Sequence, residues 1–204
     1  MAKQSRSAPV MQTVLDAVAE RLMSADESLI RIPEICEATG VNYGSVYHHF
    51  GSREGVVDAA YSMMFSSLAE EDIAVLKRVN ETAKTFEDYS MSLQGLAGVF
   101  ASGPERQARR GLRIRIVAAS MMRPDLKAKI GAAQSLITDE VTSLIQHGQD
   151  QGWIRRDMSA RSIAVFIMST LVGRTLDDIS TTSISDAEWA LSMQVLLRNL
   201  AVPS

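Results

Sequence analysis

The sequence has few of the residues that form disulfides, break helices or cross membranes. Its 204 residues include 1 cysteine and 5 prolines, and its longest apolar runs are far shorter than the ~20 residues that span a bilayer. One cysteine forms no internal disulfide, which fits a reducing compartment. The N-terminal segment MAKQSRSAPV lacks the apolar stretch of a signal peptide. We therefore expect a cytoplasmic protein that has no membrane partner, and the scarcity of proline favours helices.

The sequence signatures of common enzymes are also missing. There is no Walker loop, no dinucleotide-binding fingerprint and no nucleophile elbow. Neighbouring acids such as Glu70 and Glu71 diverge around a helix, so they do not converge on a substrate. Cys36 and the three histidines lack metal-ligand spacing, and Cys36 fits a small buried core position. We expect no catalysis, no cofactor and no metal site.

The most informative segment that is present is Arg31–Gly55, RIPEICEATGVNYGSVYHHFGSREG. Ile32 and Ile35 mark the inner face of a short helix, and Gly40 supplies a turn where a left-handed backbone costs little. Asn42 is a good N-cap for a second short helix. Two short helices joined by a glycine-containing turn predict a helix-turn-helix, whose second helix enters the DNA major groove.

The charge of this region is unusual for a DNA-binding protein. The chain has a net charge of −3, and residues 1–60 alone carry five basic and eight acidic side chains. The stretch Ala38–Ser52, which would face DNA, contains no acid. Attraction to phosphates is therefore expected to be modest, so tight binding would need a dimer and good groove contacts.

Apolar residues recur every three or four positions along most of the chain. This spacing predicts an all-α fold of nine helices, over about 9–24, 31–38, 42–49, 52–77, 85–101, 104–121, 124–149, 159–179 and 186–200. The natural division is a head of residues 1–51 and a larger body of residues 52–204.

Two parts of the head carry a specific family resemblance. The segments VLDAVAERLM and IPEICEATGVNYGSVYHHFGSREGVVDAA resemble the head of TetR-type transcriptional regulators, and HGQDQGWIRRDMSARSIAVFIMSTLVGR resembles a helix junction of their body. The resemblance implies a three-helix DNA-binding head on a helical body that binds an effector and dimerises. Arg31 departs from the family pattern, because a Thr or Ser N-cap is usual there.

The function that this resemblance implies is regulation of transcription. We expect a homodimer that binds a palindromic double-stranded DNA operator and acts as a repressor, released by a small, largely apolar effector. An activator is not distinguished from a repressor by this chain. The alternative is a helical interaction protein of the same fold without inducible DNA control, which the acidic head would suit.

Candidate DNA-binding residues lie at the start of the second short helix and on either side of the motif. Asn42, Tyr43 and Ser45 present hydrogen-bonding groups to base edges, and Gly44 allows close approach to a phosphate. The resemblance adds phosphate contacts by Tyr47, His48 and Arg53. With Arg31, the full set is Arg31, Asn42, Tyr43, Gly44, Ser45, Tyr47, His48 and Arg53. The alternatives are that Asn42 only caps, that Tyr47 packs in the core and that Arg53 is a solvated cation.

Two further sets of residues are predicted in the body. Flexible, polarisable side chains that suit an adaptable ligand cavity, or equally an ordinary core, are Met63, Met64, Met91, Phe100, Met121, Met122 and Met168. Apolar stripes on the last two helices predict a dimer interface, with burial in the protomer's own core as the alternative. These stripes contain Phe166, Ile167, Thr170, Leu171, Trp189, Met193, Leu196, Leu197 and Leu200.

One segment of the body, residues 105–129, is strongly basic. It contains eight arginines and lysines against two acids. Three interpretations remain open from the sequence: a solvated outer face, pairing with acids of the head, or attraction of an anionic effector.

Overall fold

The computed structural model describes the backbone of residues 4–101 and 103–201, and the side chains of residues 9–96 and 103–201. Over this part of the chain it contains nine α-helices, one short 3-10 helix (Glu27–Leu29) and no strand beyond a single bridge between Ile154 and Ala201. The helices are α1 Gln4–Ser24, α2 Ile32–Thr39, α3 Tyr43–Phe50, α4 Arg53–Thr82, α5 Phe86–Ala101, α6 Pro104–Ser120, α7 Pro124–Asp150, α8 Ala160–Asp178 and α9 Asp186–Arg198. The predicted all-α, nine-helix fold is confirmed.

The helix ends follow local sequence signals. Ser159 caps α8 by accepting a hydrogen bond from the Ser162 amide, and Ser185 and Glu188 form a capping box at the start of α9. The largest errors of prediction, five residues each, are at the start of α1, which begins at Gln4 instead of near residue 9, and at the end of α4, which continues to Thr82 instead of ending near residue 77. No helix of the described residues is long and apolar enough to cross a membrane.

The chain forms two compact units. The head unit runs to Ser67 and includes Ser120–Ile130. Its core joins α1, α2, α3 and the first turns of α4 through fully buried side chains, Val14, Val18, Leu22, Ile35, Val46 and Val56. This core fixes the orientation of the short helix α3, which is too short to be stable by itself.

The body unit contains Leu68–Ala119 and continues from Gly131. Its core contains Tyr89, whose hydroxyl donates a 2.9 Å hydrogen bond to the Leu144 carbonyl. Gly148 lies against this ring, and a Cβ there would lie 2.6 Å from the Tyr89 hydroxyl and 2.7 Å from Ile154. Glycine is therefore required at residue 148 by close packing. The predicted functional boundary at residue 51 stays a prediction, since the compact units divide within α4.

Candidate functional site

The turn of the head unit places the start of α3 at the surface. Gly40 ends α2 with a left-handed φ of 69°, and Asn42 caps α3 by accepting a 3.3 Å hydrogen bond from the Ser45 amide. The predicted cap is thus present. Gly44 has a further reason to be glycine, because a Cβ there would lie 3.1 Å from the capping oxygen of Asn42. Together the cap and the glycine define the first turn of α3.

The first turn of α3 presents a continuous polar surface. Asn42, Tyr43, Gly44 and Ser45 are all exposed, whereas Val46, the next residue, is fully buried. Tyr43 and Tyr47 have ring centroids 4.5 Å apart, and a hydrogen bond with Tyr43 raises the pKa of Tyr47. His48 is exposed and Tyr47 is half-buried. The structure therefore brings six of the predicted DNA-binding residues onto one short helix and its cap.

Arg53 has a different environment from the one that the sequence predicts. Its Nε donates to the Ile30 carbonyl at 2.9 Å, and a second guanidinium nitrogen donates to the Glu27 carbonyl. Arg53 is therefore not a fully solvated cation, because its donors tie α4 to the 3-10 helix of the head; its contact with a phosphate stays a prediction. Arg31, by contrast, is exposed and makes one 3.2 Å hydrogen bond to the Ser28 carbonyl.

A second internal link of the head unit involves Arg123, which precedes α7. Its guanidinium pairs with Glu27 of the 3-10 helix and, at 2.9 Å, with Asp58 of α4. These hydrogen bonds, of which the one donated to Glu27 has the largest effect, raise the pKa of Arg123. Of the interpretations of the basic segment, pairing with acids of the head therefore applies to Arg123.

The body unit contains a partly open space, which we name the inner cavity. Its volume is about 80 Å³, and residues of α4 to α9 line it. The lining is mostly aliphatic, but it includes the ion pair of Asp72 and Arg113 and the ring of Trp189. Within the described residues, the indole nitrogen of Trp189 is buried without a hydrogen-bond partner. The cavity is suited to a largely apolar molecule.

Most residues predicted to bind an effector lie elsewhere. Met168 lines the inner cavity, but Met63, Met64, Met121 and Met122 belong to the head unit. Met122 is 90% exposed, and Met91 on α5 is also exposed. The side chain of Phe100 lies outside the described residues. Methionine content was a poor guide because leucine, isoleucine and valine form most of this cavity wall.

The predicted dimer stripes mostly face inward. Six of their nine residues line the inner cavity: Ile167, Thr170, Leu171, Trp189, Met193 and Leu197. Leu200 is half-buried, and only Phe166 and Leu196 are exposed. Both helices are apolar on two faces, and spacing alone does not say which face is buried, so the dimer interface of these residues stays a prediction.

The opposite faces of α8 and α9 form a second apolar surface, which we name the exposed face. It contains Val165, Phe166, Val172 and Leu176 of α8 and Leu191, Val195 and Leu196 of α9. So many exposed large side chains on two consecutive helices are more than scattered surface residues. Two residues of the predicted interface, Phe166 and Leu196, belong to this face.

The arginines of α6 form ion pairs within the body unit. Arg110 binds both oxygens of Asp178 at 2.8–2.9 Å, and both side chains are 8% exposed. Arg113 lies 2.7 Å from Asp72, and Arg109 pairs with Glu71. The solvated-face interpretation of the basic segment is therefore wrong for these three arginines.

These arginines also line a more open space, which we name the arginine cleft. Its volume is about 370 Å³, and its lining includes Arg106, Arg109, Arg110, Arg113 and apolar residues of α6 and α8. A second ion-pair network lies nearby on α8 and α9, where Arg174 contacts Asp177 and Asp186. The Gly103 amide and then Arg174 lower the pKa of Asp186 by hydrogen bonding.

Comparisons with known proteins agree with these features. The family model of bacterial regulatory proteins of the tetR family matches residues 28–60. The HTH-type transcriptional repressor AcnR of Corynebacterium efficiens is 28% identical over 156 residues, which are 74% of this chain and 73% of AcnR. The HTH-type transcriptional regulator UidR of Escherichia coli is 21% identical over 204 residues, covering 98% and 97% of the two chains.

Solved structures show the same fold. A transcriptional regulator from Saccharomonospora viridis, crystallised in complex with choline, has a TM-score of 0.73 at 16% identity and covers 97% of this chain and 100% of its own. The fold and the exposed start of α3 define a DNA-binding transcriptional regulator of the helix-turn-helix class. Within that class, residues 28–60 match the tetR family model, and the chain as a whole is similar to TetR-type regulators.

Proposed function

We propose that this regulator is a repressor that binds a palindromic operator and is released by a small effector in its body. The observation that carries the DNA contact is the acid-free, exposed first turn of α3 above a fully buried Val46. Tyr43 and Ser45 read base edges there, and Gly44 lets the backbone approach the DNA. Arg31, Asn42, Tyr47 and His48 contribute positioning contacts, whereas Arg53 stabilises the head.

The exposed face of α8 and α9 supports a homodimer. Two copies of this helix pair would form a four-helix bundle and bury the apolar side chains that one protomer leaves exposed. A dimer also supplies the second head that a palindromic operator requires. It compensates for the weak phosphate attraction that is expected of a head with more acids than bases.

The inner cavity supports an effector. A largely apolar molecule that fits an altered body better than the operator-bound body would shift the protein away from DNA, since release requires a difference in affinity between two states. The related AcnR is named a repressor, and the Saccharomonospora protein of the same fold was solved with choline. The first name supports repression, and the second supports a small-molecule site in a protein of this fold.

The test uses the full-length protein and an operator selected from random duplexes. Small molecules that raise its melting temperature are added to the protein–operator complex, and binding is followed by fluorescence anisotropy. We expect at least one stabilising molecule to weaken operator binding tenfold or more. The proposal fails if stabilising molecules leave operator affinity unchanged. If no duplex is enriched at all, an interaction protein without DNA control explains the chain better.

A further inference from the structure

The inner cavity and the arginine cleft share a wall. Four residues line both spaces: Asp72, Arg113, Met168 and Leu171. This wall therefore includes one ion pair and two flexible apolar side chains. One space is almost entirely apolar, whereas the other has four arginines in its lining. Side chains that can change rotamer separate a nonpolar space from one whose lining includes arginines.

The arginine cleft contains a donor that has no acceptor. Arg109 pairs with Glu71 through one terminal nitrogen. Its other terminal nitrogen is buried, has no hydrogen-bond partner within the described residues, and lies 3.7 Å from Asp72, beyond hydrogen-bonding distance. Asp72 is already engaged by Arg113 at 2.7 Å. A buried guanidinium donor without an acceptor is costly, so this position favours an additional anionic oxygen.

The inner cavity is too small as it stands for a full-sized effector. Its volume is about 80 Å³. An apolar cavity of about 150 Å³ is needed to hold benzene. An apolar tail therefore enters only if the shared wall moves, and Met168 and Leu171 are the side chains able to do so. A ligand whose tail enters the inner cavity from the arginine cleft then stabilises the conformation in which these wall side chains have moved apart.

From these observations we infer that the effector is an amphipathic monoanion, an alkyl or aryl carboxylate. Its apolar tail occupies the inner cavity, and its carboxylate accepts hydrogen bonds from Arg109 and Arg113 in the arginine cleft. The carboxylate competes with Asp72 for hydrogen bonds from Arg113, and it supplies the acceptor that the second terminal nitrogen of Arg109 lacks. This inference rests on the proposed function and specifies the chemical class of the effector.

The probes are sodium octanoate, 1-octanol with the same tail but no charge, and sodium acetate with the charge but no tail. Binding to the full-length protein is measured by isothermal titration calorimetry at one ionic strength. We expect octanoate to bind at least tenfold more tightly than either octanol or acetate, because hydrogen bonds to a charged group are worth about a factor of ten or more.

Two variants remove the head-group contacts. Arg109→Gln changes a partly exposed side chain and is expected to fold. Arg113→Gln is combined with Asp72→Asn, so that no buried carboxylate is left without its partner. Each should weaken octanoate binding about tenfold and leave octanol binding unchanged. The control is Arg161→Gln, because Arg161 on α8 pairs with Asp139 at the surface and lines neither space.

The inference is overturned if octanoate does not bind, if octanol or acetate binds as tightly, or if the control loses as much affinity as Arg109→Gln. Its failure is distinct from that of the proposed function. Octanoate binding with the expected variant pattern but without operator release would uphold the ligand class and reject the effector role. Operator release by an uncharged apolar molecule, with no octanoate binding, would reject the ligand class and uphold effector-controlled repression.

Discussion

The head unit and the body unit present their functional side chains in different ways. In the head, α3 has one buried face and one exposed face, so Val46 packs inward while Tyr43, three residues before it, is 47% exposed. In the body, α8 is apolar on both sides: Ile167 lines the inner cavity, and its neighbour Phe166 is exposed. A site on a helix with one buried face can be predicted from a sequence motif. A site on a helix that is apolar on both sides can be located only from the packed structure.

The two units also differ in the arrangement of their charged side chains. The stretch Ala38–Ser52 of the head, which is proposed to face DNA, contains no acid that would repel phosphates and no arginine or lysine. In the body, acids from α4 and α8 hold the arginines of α6, and the pair of Arg110 with Asp178 is almost fully buried. Charged side chains are therefore absent from this stretch of the head and largely paired internally in the body.

The largest effect is expected from a comparison of two adjacent residues of α9, one on its buried side and one on its exposed side. Leu197 is 9% exposed and lines the inner cavity, whereas Leu196 is 42% exposed. Leu197→Glu places a carboxyl in the core and should destabilise the body by roughly 2–7 kcal/mol. Leu196→Glu should leave the fold intact but give monomers in light scattering, with operator affinity reduced a hundredfold or more.

The control for this pair is Met91→Glu on α5, which is exposed but outside the exposed face. It should remain dimeric and folded. If both leucine variants behave alike, or if Leu196→Glu stays dimeric, the assignment of the two faces of α9 is incorrect.

The next largest effect is expected for the buried ion pair of the body. Asp178→Ala leaves Arg110 buried without its carboxylate, so the free energy of unfolding should fall by about 3–5 kcal/mol in urea titrations. Asp139→Ala breaks the exposed pair with Arg161 and should cost at most about 1 kcal/mol. Equal losses in the two variants would show that burial does not govern the strength of these pairs.

The smallest effects distinguish two arginines of the head. Arg53→Ala should lower stability by about 1 kcal/mol and leave the salt dependence of DNA binding unchanged, because the guanidinium binds head carbonyls. Arg31→Ala removes an exposed cation and should reduce the salt slope by about 1 if Arg31 contacts a phosphate. If Arg53→Ala reduced the salt dependence of DNA binding, the phosphate contact that the family resemblance implies for Arg53 would be supported.

The sequence was sufficient for the all-α fold and for the exposed start of α3, because caps, glycines and one-faced spacing are local signals. Asn42 caps α3 as predicted, and Gly40 has the expected left-handed backbone. The positions of Arg53 and Arg123 were not predictable, because their partners are distant in sequence and two of them are backbone carbonyls. The inner cavity was missed because its liners come from six helices that no periodicity relates.

The central claim is that the first turn of α3 reads DNA sequence. Its most direct test is selection from a random duplex pool by the wild-type protein and by the double variant Tyr43→Ala/Ser45→Ala, whose side chains are exposed and whose helix content should be unchanged. We predict that the wild type enriches one two-fold symmetric sequence, with half-sites about 34 Å or a multiple of that distance apart. The double variant should bind duplexes with little sequence preference. Enrichment of the same sequence by both proteins, or of none by the wild type, would contradict the claim.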